Sequence, residues 1–265
     1  MSLRTVARKY ALDTHRTKWA WGATAVFVVV FGFLGWSAAF DWEGNVQPLA
    51  TGGLQMAAAI LIPLVTLALG HGAVAGERES GSLRVLLASP HSRREVVAGA
   101  FIGRFGAVLV AVVGGLLAAP LTYTLRAGQL PGTDYLVLAG FALLWTVFCS
   151  SLAVGVSALF STGRRAIAGT LGTYIGFLFL WDWLPNQIVW RFYPSDQQYP
   201  PPEWVQVWNK LDPISGYTDA TSLLLYRPDE ALAVYEMMPF LAAVVAALAV
   251  LPMGLALWRF PNVDL

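Results

Sequence analysis

Six apolar stretches dominate this chain of 265 residues, and they restrict it to one class of fold. Each has about the 20 residues that a helix needs to cross the bilayer hydrocarbon. They run over Trp19–Phe40, Gly52–Ala75, Val96–Leu125, Tyr135–Phe160, Ala166–Leu184 and Met237–Trp258, with no acid or lysine at any mid-span. In lipid every backbone N–H and C=O must find a partner inside the protein, which helices of this length provide. The expectation is an all-α integral membrane protein with six transmembrane helices, folded as a single transmembrane domain over residues 1–265. The third stretch is long enough to tilt or to project from the membrane. The first is too long for a signal peptide and lacks a small-residue cleavage site before Asp41.

Composition agrees. Charged residues make up 12% of the chain, about half the 25% of a soluble domain. That excludes an ordinary soluble globule. Disorder and nucleic-acid binding need low hydrophobicity or a strong basic excess, and the net charge is only +1. The single cysteine, Cys149, lies inside an apolar run and allows no intrachain disulfide and no cysteine-based metal cluster.

Loop charges set the orientation. With the N-terminus inside, one side carries Arg4, Arg8, Lys9, Arg16, Lys18, Arg78, Arg84, Arg93, Arg94, Arg104, Arg164, Arg165 and Arg259, which are 13 of the 17 basic residues. Most acids fall on the other side, from Asp41 and Glu43 to Glu230 and Glu236. Cytoplasmic loops are enriched in lysine and arginine. Both termini are therefore expected in the cytoplasm, in a multi-pass protein of the plasma membrane.

Two segments read as lying on the bilayer. Over residues 2–18 a helical period places Leu3, Val6, Ala7, Tyr10, Thr14 and Thr17 on one face, with Arg4, Arg8 and His15 on another. That pattern suits an interfacial helix, and a plain basic tail is the alternative. The long outer segment 185–236 is rich in aromatics and reads as interfacial or re-entrant. Pro200, Pro201 and Pro202 precede Glu203, and Trp204, Trp208 and Leu211 follow at i, i+4, i+7. A short helix with indoles at the interface fits, and an aromatic-rich loop is the alternative.

The loop between the second and third stretches is the densest in charge. It spans residues 76–95, yet Leu83, Leu86 and Leu87 share one helix face. Pro90 ends that helix, and Ser92 with Glu95 has the spacing of a capping box for the next. A connector needs only a few polar residues. A leucine face flanked by Glu77, Arg78, Glu79 and Arg84 suits docking to a soluble partner; a solvated charge run is the alternative.

Glu-Arg-Glu-x-Gly-Ser-Leu-x-x-Leu-Leu-x-x-Pro-x-Ser-Arg-x-Glu, from Glu77 to Glu95, resembles the hallmark of ABC-2 type transporter permeases. It is most similar to the six-span subgroup that includes the permease of nitrous oxide reductase maturation transporters. The run Leu211-Asp212-Pro213-Ile214-Ser215-Gly216-Tyr217 resembles a segment such permeases carry before the last span, with Asp212 at the usual asparagine. Gly99-Ala100 stands where many relatives have Gly-Lys. The resemblance implies a type V exporter-like permease fold and a homodimer, each copy bound to a cytosolic ABC ATP-binding subunit. It also implies a coupling helix over Glu77–Ser89, with Glu77, Arg78, Glu79, Gly81, Ser82, Leu83, Arg84, Leu86, Leu87, Ser89, Pro90 and Arg93 as ATPase-coupling residues. The lysines are Lys9, Lys18 and Lys210, and none sits in a P-loop pattern. No cofactor is expected on this chain; ATP and magnesium belong to the partner.

Small residues recur every fourth position in the third stretch: Gly99, Gly103, Ala107, Ala111, Gly115 and Ala119. The fifth has Ala168, Gly172 and Gly176. Such stripes let helices approach closely in lipid. Gly172 and Gly176 are candidates for the dimer interface, or for packing within one chain. Thr146, Ser150, Ser151, Thr170, Thr173 and Tyr174 are mid-span polar residues, suited to a pathway for a neutral or amphipathic substrate or to helix–helix hydrogen bonds. No metal site is expected. Copper passage would want thiolate, thioether or imidazole ligands in series, and the outer segment has no histidine or cysteine. An ATP-independent carrier would need intramembrane ionisable residues, which are missing. An intramembrane hydrolase built on Ser157 would need His15, His71 or His91 as base, and no metal motif or carboxylate pair supports it.

Overall fold

The computed structural model describes residues 8–10, 12, 18–41, 43–50, 52–70, 72–82, 92–194, 201–225 and 238–259. The described residues are helical apart from turns and a single antiparallel bridge, Phe40 to Val46. The helices are α1 (Lys18–Ser37), α2 (Gly52–Gly70), the short α3 (Ala75–Glu79), α4 (Arg93–Ala127) and α5 (Thr133–Leu159). Then come α6 (Gly163–Ile175), a π turn (Gly176–Leu180), α7 (Trp181–Phe192), α8 (Glu203–Lys210), α9 (Pro213–Leu225) and α10 (Met238–Arg259). Among the described residues, six helices are long and apolar enough to cross a membrane. Spans one to four are α1, α2, α4 and α5; span five is α6 through α7; span six is α10.

Local chemistry explains the boundaries. The Ser92 hydroxyl accepts the Glu95 N–H at 3.2 Å, and the Glu95 carboxylate accepts the Ser92 N–H at 2.8 Å. This is the capping box the spacing predicts, and it starts span three. Gly128 ends that helix in the left-handed conformation (φ 70°) that glycine adopts most readily. Between spans one and two, the Asp41 carboxylate accepts the N–H groups of Glu43 (2.9 Å) and Asn45 (2.8 Å). The Asn45 N–H contributes most to holding that carboxyl below its usual range.

Span four is the hub, packing against spans two, three and six, with Trp145 and Phe148 buried and stacked. Spans one and three pair along their lengths. A Cβ added at Gly115 would lie 3.0 Å from the Phe27 carbonyl oxygen, and one at Gly35 would lie 2.2 Å from that of Ala119. The small-residue stripe of span three therefore packs within the chain at Gly115 and Ala119. Gly155 of span four meets the backbone of Pro252 in span six in the same way.

Span five departs from expectation. It was expected to end at Leu184 but runs on through Pro185 to Phe192. Proline has no N–H to give the carbonyl four residues back. Here that carbonyl, of Trp181, accepts the Trp208 indole N–H at 3.0 Å. The Trp181 indole donates in return to the Trp208 carbonyl at 2.9 Å, and the two rings stack 4.7 Å apart. The orphan left by the proline is thus satisfied from α8, so the helix survives. The helix expected after the three prolines is α8 itself. The further helix α9 was not anticipated.

α9 begins with Asp212 at its cap and Pro213 at its first position, where the missing N–H costs nothing. The Asp212 carboxylate accepts the Ser215 N–H (2.8 Å) and hydroxyl (2.9 Å) through one oxygen. The other oxygen is buried and has no partner among the described residues. Burial pushes this carboxyl up to about 6. A pKa raised above the unfolded value means that the folded chain binds the proton more tightly. The stability that this group contributes is full below pH 4 and is lost as pH rises through 6. The chain is expected to be about 1 kcal/mol more stable at pH 5 than at pH 7. Thermal unfolding at the two pH values checks this, and Asp212→Asn should flatten the difference.

Candidate coupling site

The segment after span two turns through Gly72–Val74 into α3. That helix stops at Gly81, whose φ of 76° is left-handed, so the single coupling helix expected over Glu77–Ser89 is interrupted there. Glu77, Arg78 and Glu79 sit on the short turn before the break, and Ser82 follows it. Leu83, Arg84, Leu86, Leu87, Ser89 and Pro90 lie outside the described residues, as do His15, His71 and His91. Arg93 is the first residue of α4.

The three charged residues of α3 all bond to other parts of the same chain. The Glu77 carboxylate pairs with Lys9 at 3.3 Å and also accepts the Ser82 hydroxyl. Arg78 donates to the Phe160 carbonyl at 3.2 Å. The Glu79 carboxylate accepts the Gly163 N–H at 2.9 Å. Gly163 opens α6 behind its cap Thr162, so its N–H is one of the four that a helix start leaves without an internal partner. A carboxylate there also suits the positive end of the helix dipole.

Beneath this turn, the Ser157 hydroxyl of span four accepts the N–H groups of Val74 and Ala75, each at 3.1 Å. Ser157 is fully buried. Its oxygen serves as an acceptor for two backbone amides, which gives it a structural role. Tyr10 is buried beside it in a cluster with Ala73, Val74, Val97, Val154 and Ala158. Its place on the apolar face was legible from the helical period of residues 2–18. Lys9, Phe160 and Gly163 were missed, because only tertiary contact marks them.

The candidate pathway residues bond to backbone. Thr170 donates to the Ala166 carbonyl (2.9 Å), Thr173 to that of Gly169 (2.8 Å) and Tyr174 to that of Ala59 in span two (3.2 Å). Thr170 and Tyr174 also line an apolar cavity of about 160 Å³ between spans two, four and five, with Pro63, Leu64, Cys149 and Leu171. Thr173 lines a second, of about 200 Å³, against spans four and six. Around Gly172 and Gly176 an added Cβ would meet open space. Ile175, Phe179 and Trp183 of the same span are exposed. No group of three or more potential metal ligands occurs among the described residues.

Comparison with known proteins agrees with this architecture. The model of the ABC-2 family transporter protein matches residues 4–265. A probable ABC transporter permease protein NosY of Pseudomonas aeruginosa is 29% identical over 186 residues, 67% of each chain. Its namesake in Stutzerimonas stutzeri is 31% identical over 123 residues, 45% of each chain. With six membrane-crossing helices and a family match over nearly its whole length, this chain belongs to the ABC-2 transporter family, as a membrane permease subunit of an ABC transporter.

Proposed function

We propose that this chain is the membrane half of an ATP-driven exporter, folded as one permease domain over residues 1–265. It lies in the plasma membrane with both termini in the cytoplasm. It binds a separate ATP-binding subunit through the loop 77–89 and works as a homodimer. The observation that carries the coupling role is the anchoring of α3. Lys9–Glu77, Arg78–Phe160 and Glu79–Gly163 tie one loop to the N-terminal segment and to the turn between spans four and five. A passive connector has no need of such ties. The sequence has no P-loop lysine, so ATP and magnesium are assigned to the partner.

The homodimer reading rests on span five, which packs little on its own chain and leaves open space at Gly172 and Gly176. The apolar walls around Thr170 and Tyr174 favour a neutral or amphipathic cargo over an ion. The test is co-purification of the ATP-binding subunit with the double variant Leu86→Asp, Leu87→Asp. Loss of the subunit from a chain that still folds is the expected result. Retained binding together with retained transport would sink the coupling assignment.

A further inference from the structure

Span five is held at its two ends, and between them Tyr174 bonds to the Ala59 carbonyl of span two. At the end next to α3, Glu79 accepts the Gly163 N–H, and Arg78 grips the Phe160 carbonyl just before it. At the other end, the stacked and doubly hydrogen-bonded Trp181–Trp208 pair fixes the start of α7 to α8. Between them the helix is little buried, flanked by two apolar cavities, and widened by the π turn Gly176–Leu180. Single π turns inside α-helices concentrate at functional positions and weaken the regular i to i−4 ladder. A force applied at α3 therefore reaches the start of span five through the Glu79 carboxylate on Gly163 and through Arg78 on the Phe160 carbonyl just before it. The helix can yield at the π turn while its far end stays pinned.

We infer that Glu79 is a transmission residue: its carboxylate on the Gly163 N–H passes movement of the loop to the α6 half of span five, which swings about the π turn. Glu79 is thus a positioning residue that faces its own chain from within the docking loop 77–89. The inference rests on the proposed coupling of this loop to an ATP-binding subunit, and the test keeps the two separate.

The experiment uses the complete complex in lipid. Cys149 is replaced by alanine, and cysteines replace Leu64 and Leu171, which both line the cavity between spans two, four and five. A bifunctional thiol reagent then reports the span two to span five separation with and without ATP and vanadate. With Glu79 intact, trapping should change the cross-linking yield. The Glu79–Gly163 hydrogen bond is exposed, where a carboxylate at a helix start shifts a two-state balance about two- to fivefold, so Glu79→Ala should weaken that response by that factor. ATPase association and hydrolysis are read in Gly163→Pro, at a position outside the docking loop, where they should remain. Glu79→Gln keeps an oxygen acceptor and should keep the response.

Gly163→Pro is the independent arm. Proline is favoured at the first position of a helix, and Thr162 before it already has the extended conformation that proline requires (φ −132°, ψ 149°). It deletes the donor N–H and sets ring carbons beside the exposed Glu79 carboxylate, which can turn into solvent, so the chain should fold and the response should weaken as in Glu79→Ala. A full response in Gly163→Pro and Glu79→Ala would overturn the inference. So would loss of ATPase binding in Gly163→Pro, because the lost response would then report docking rather than transmission. If no ATP-binding subunit associates with the unaltered chain, the proposed function itself fails, and the transmission role falls with it.

Discussion

Ser157→Ala is expected to lower the stability of the purified chain by about 2–6 kcal/mol, because a buried amide left without a partner costs about 1–3 kcal/mol and two are orphaned here. The Ser157 oxygen accepts both the Val74 and Ala75 N–H groups where span two breaks into the loop. The site is fully buried, so no water stands ready to replace it. Thermal unfolding in detergent or nanodiscs measures the loss. Ser157→Thr keeps the oxygen and should lose less. Equal stability in Ser157→Ala and the parent would remove the case for Ser157 as the clamp of this turn. The same result bears on catalysis: a hydroxyl whose oxygen is occupied by two amides is poorly placed to attack a substrate.

Gly35→Leu is expected to prevent spans one and three from pairing, and even Gly35→Ala should destabilise the chain. The first added carbon would sit 2.2 Å from the Ala119 carbonyl oxygen and 2.8 Å from its carbon. These are backbone atoms within a helix, so no side-chain rotation relieves the clash. Overpacking a well-packed core costs about 1–3 kcal/mol and more where the backbone must move. The yield of folded chain and its melting temperature report the effect. Gly172→Ala is the matched control, since an added Cβ there meets nothing in its own chain and should not lower monomer stability. If Gly35→Ala melts with the parent, the close pairing of these spans is not what holds the bundle.

Much of this could be read from sequence wherever one short segment carries the whole signal. The apolar stretches gave the spans to within a few residues, apart from the far end of span five. Ser92 and Glu95 gave the start of span three, and the prolines before Glu203 gave the start of α8. Tyr10, which the helical period puts on the apolar face of residues 2–18, is buried, and most of the other residues of that face lie outside the described residues. The coupling residues divide differently. Their family pattern was visible from Glu77 to Glu95, but the partners of Glu77, Arg78 and Glu79 were not. Lys9 lies 68 positions from Glu77, and Gly163 lies 84 from Glu79. No periodicity links residues so far apart.

Sequence alone determined that this chain is a bundle of six membrane-crossing helices. Hydrophobic length and helix capping act within a single segment, and each segment must satisfy its own backbone in lipid. Tertiary structure alone decided what the charges near the loop do. It turned Glu79 onto the start of span five and Arg78 onto the carbonyl before it, and it made Ser157 a clamp. It also carried span five past Pro185, because the Trp208 indole supplies the hydrogen bond that proline cannot. In each case a polar atom found its partner on a different helix, and only packing fixes which helices meet.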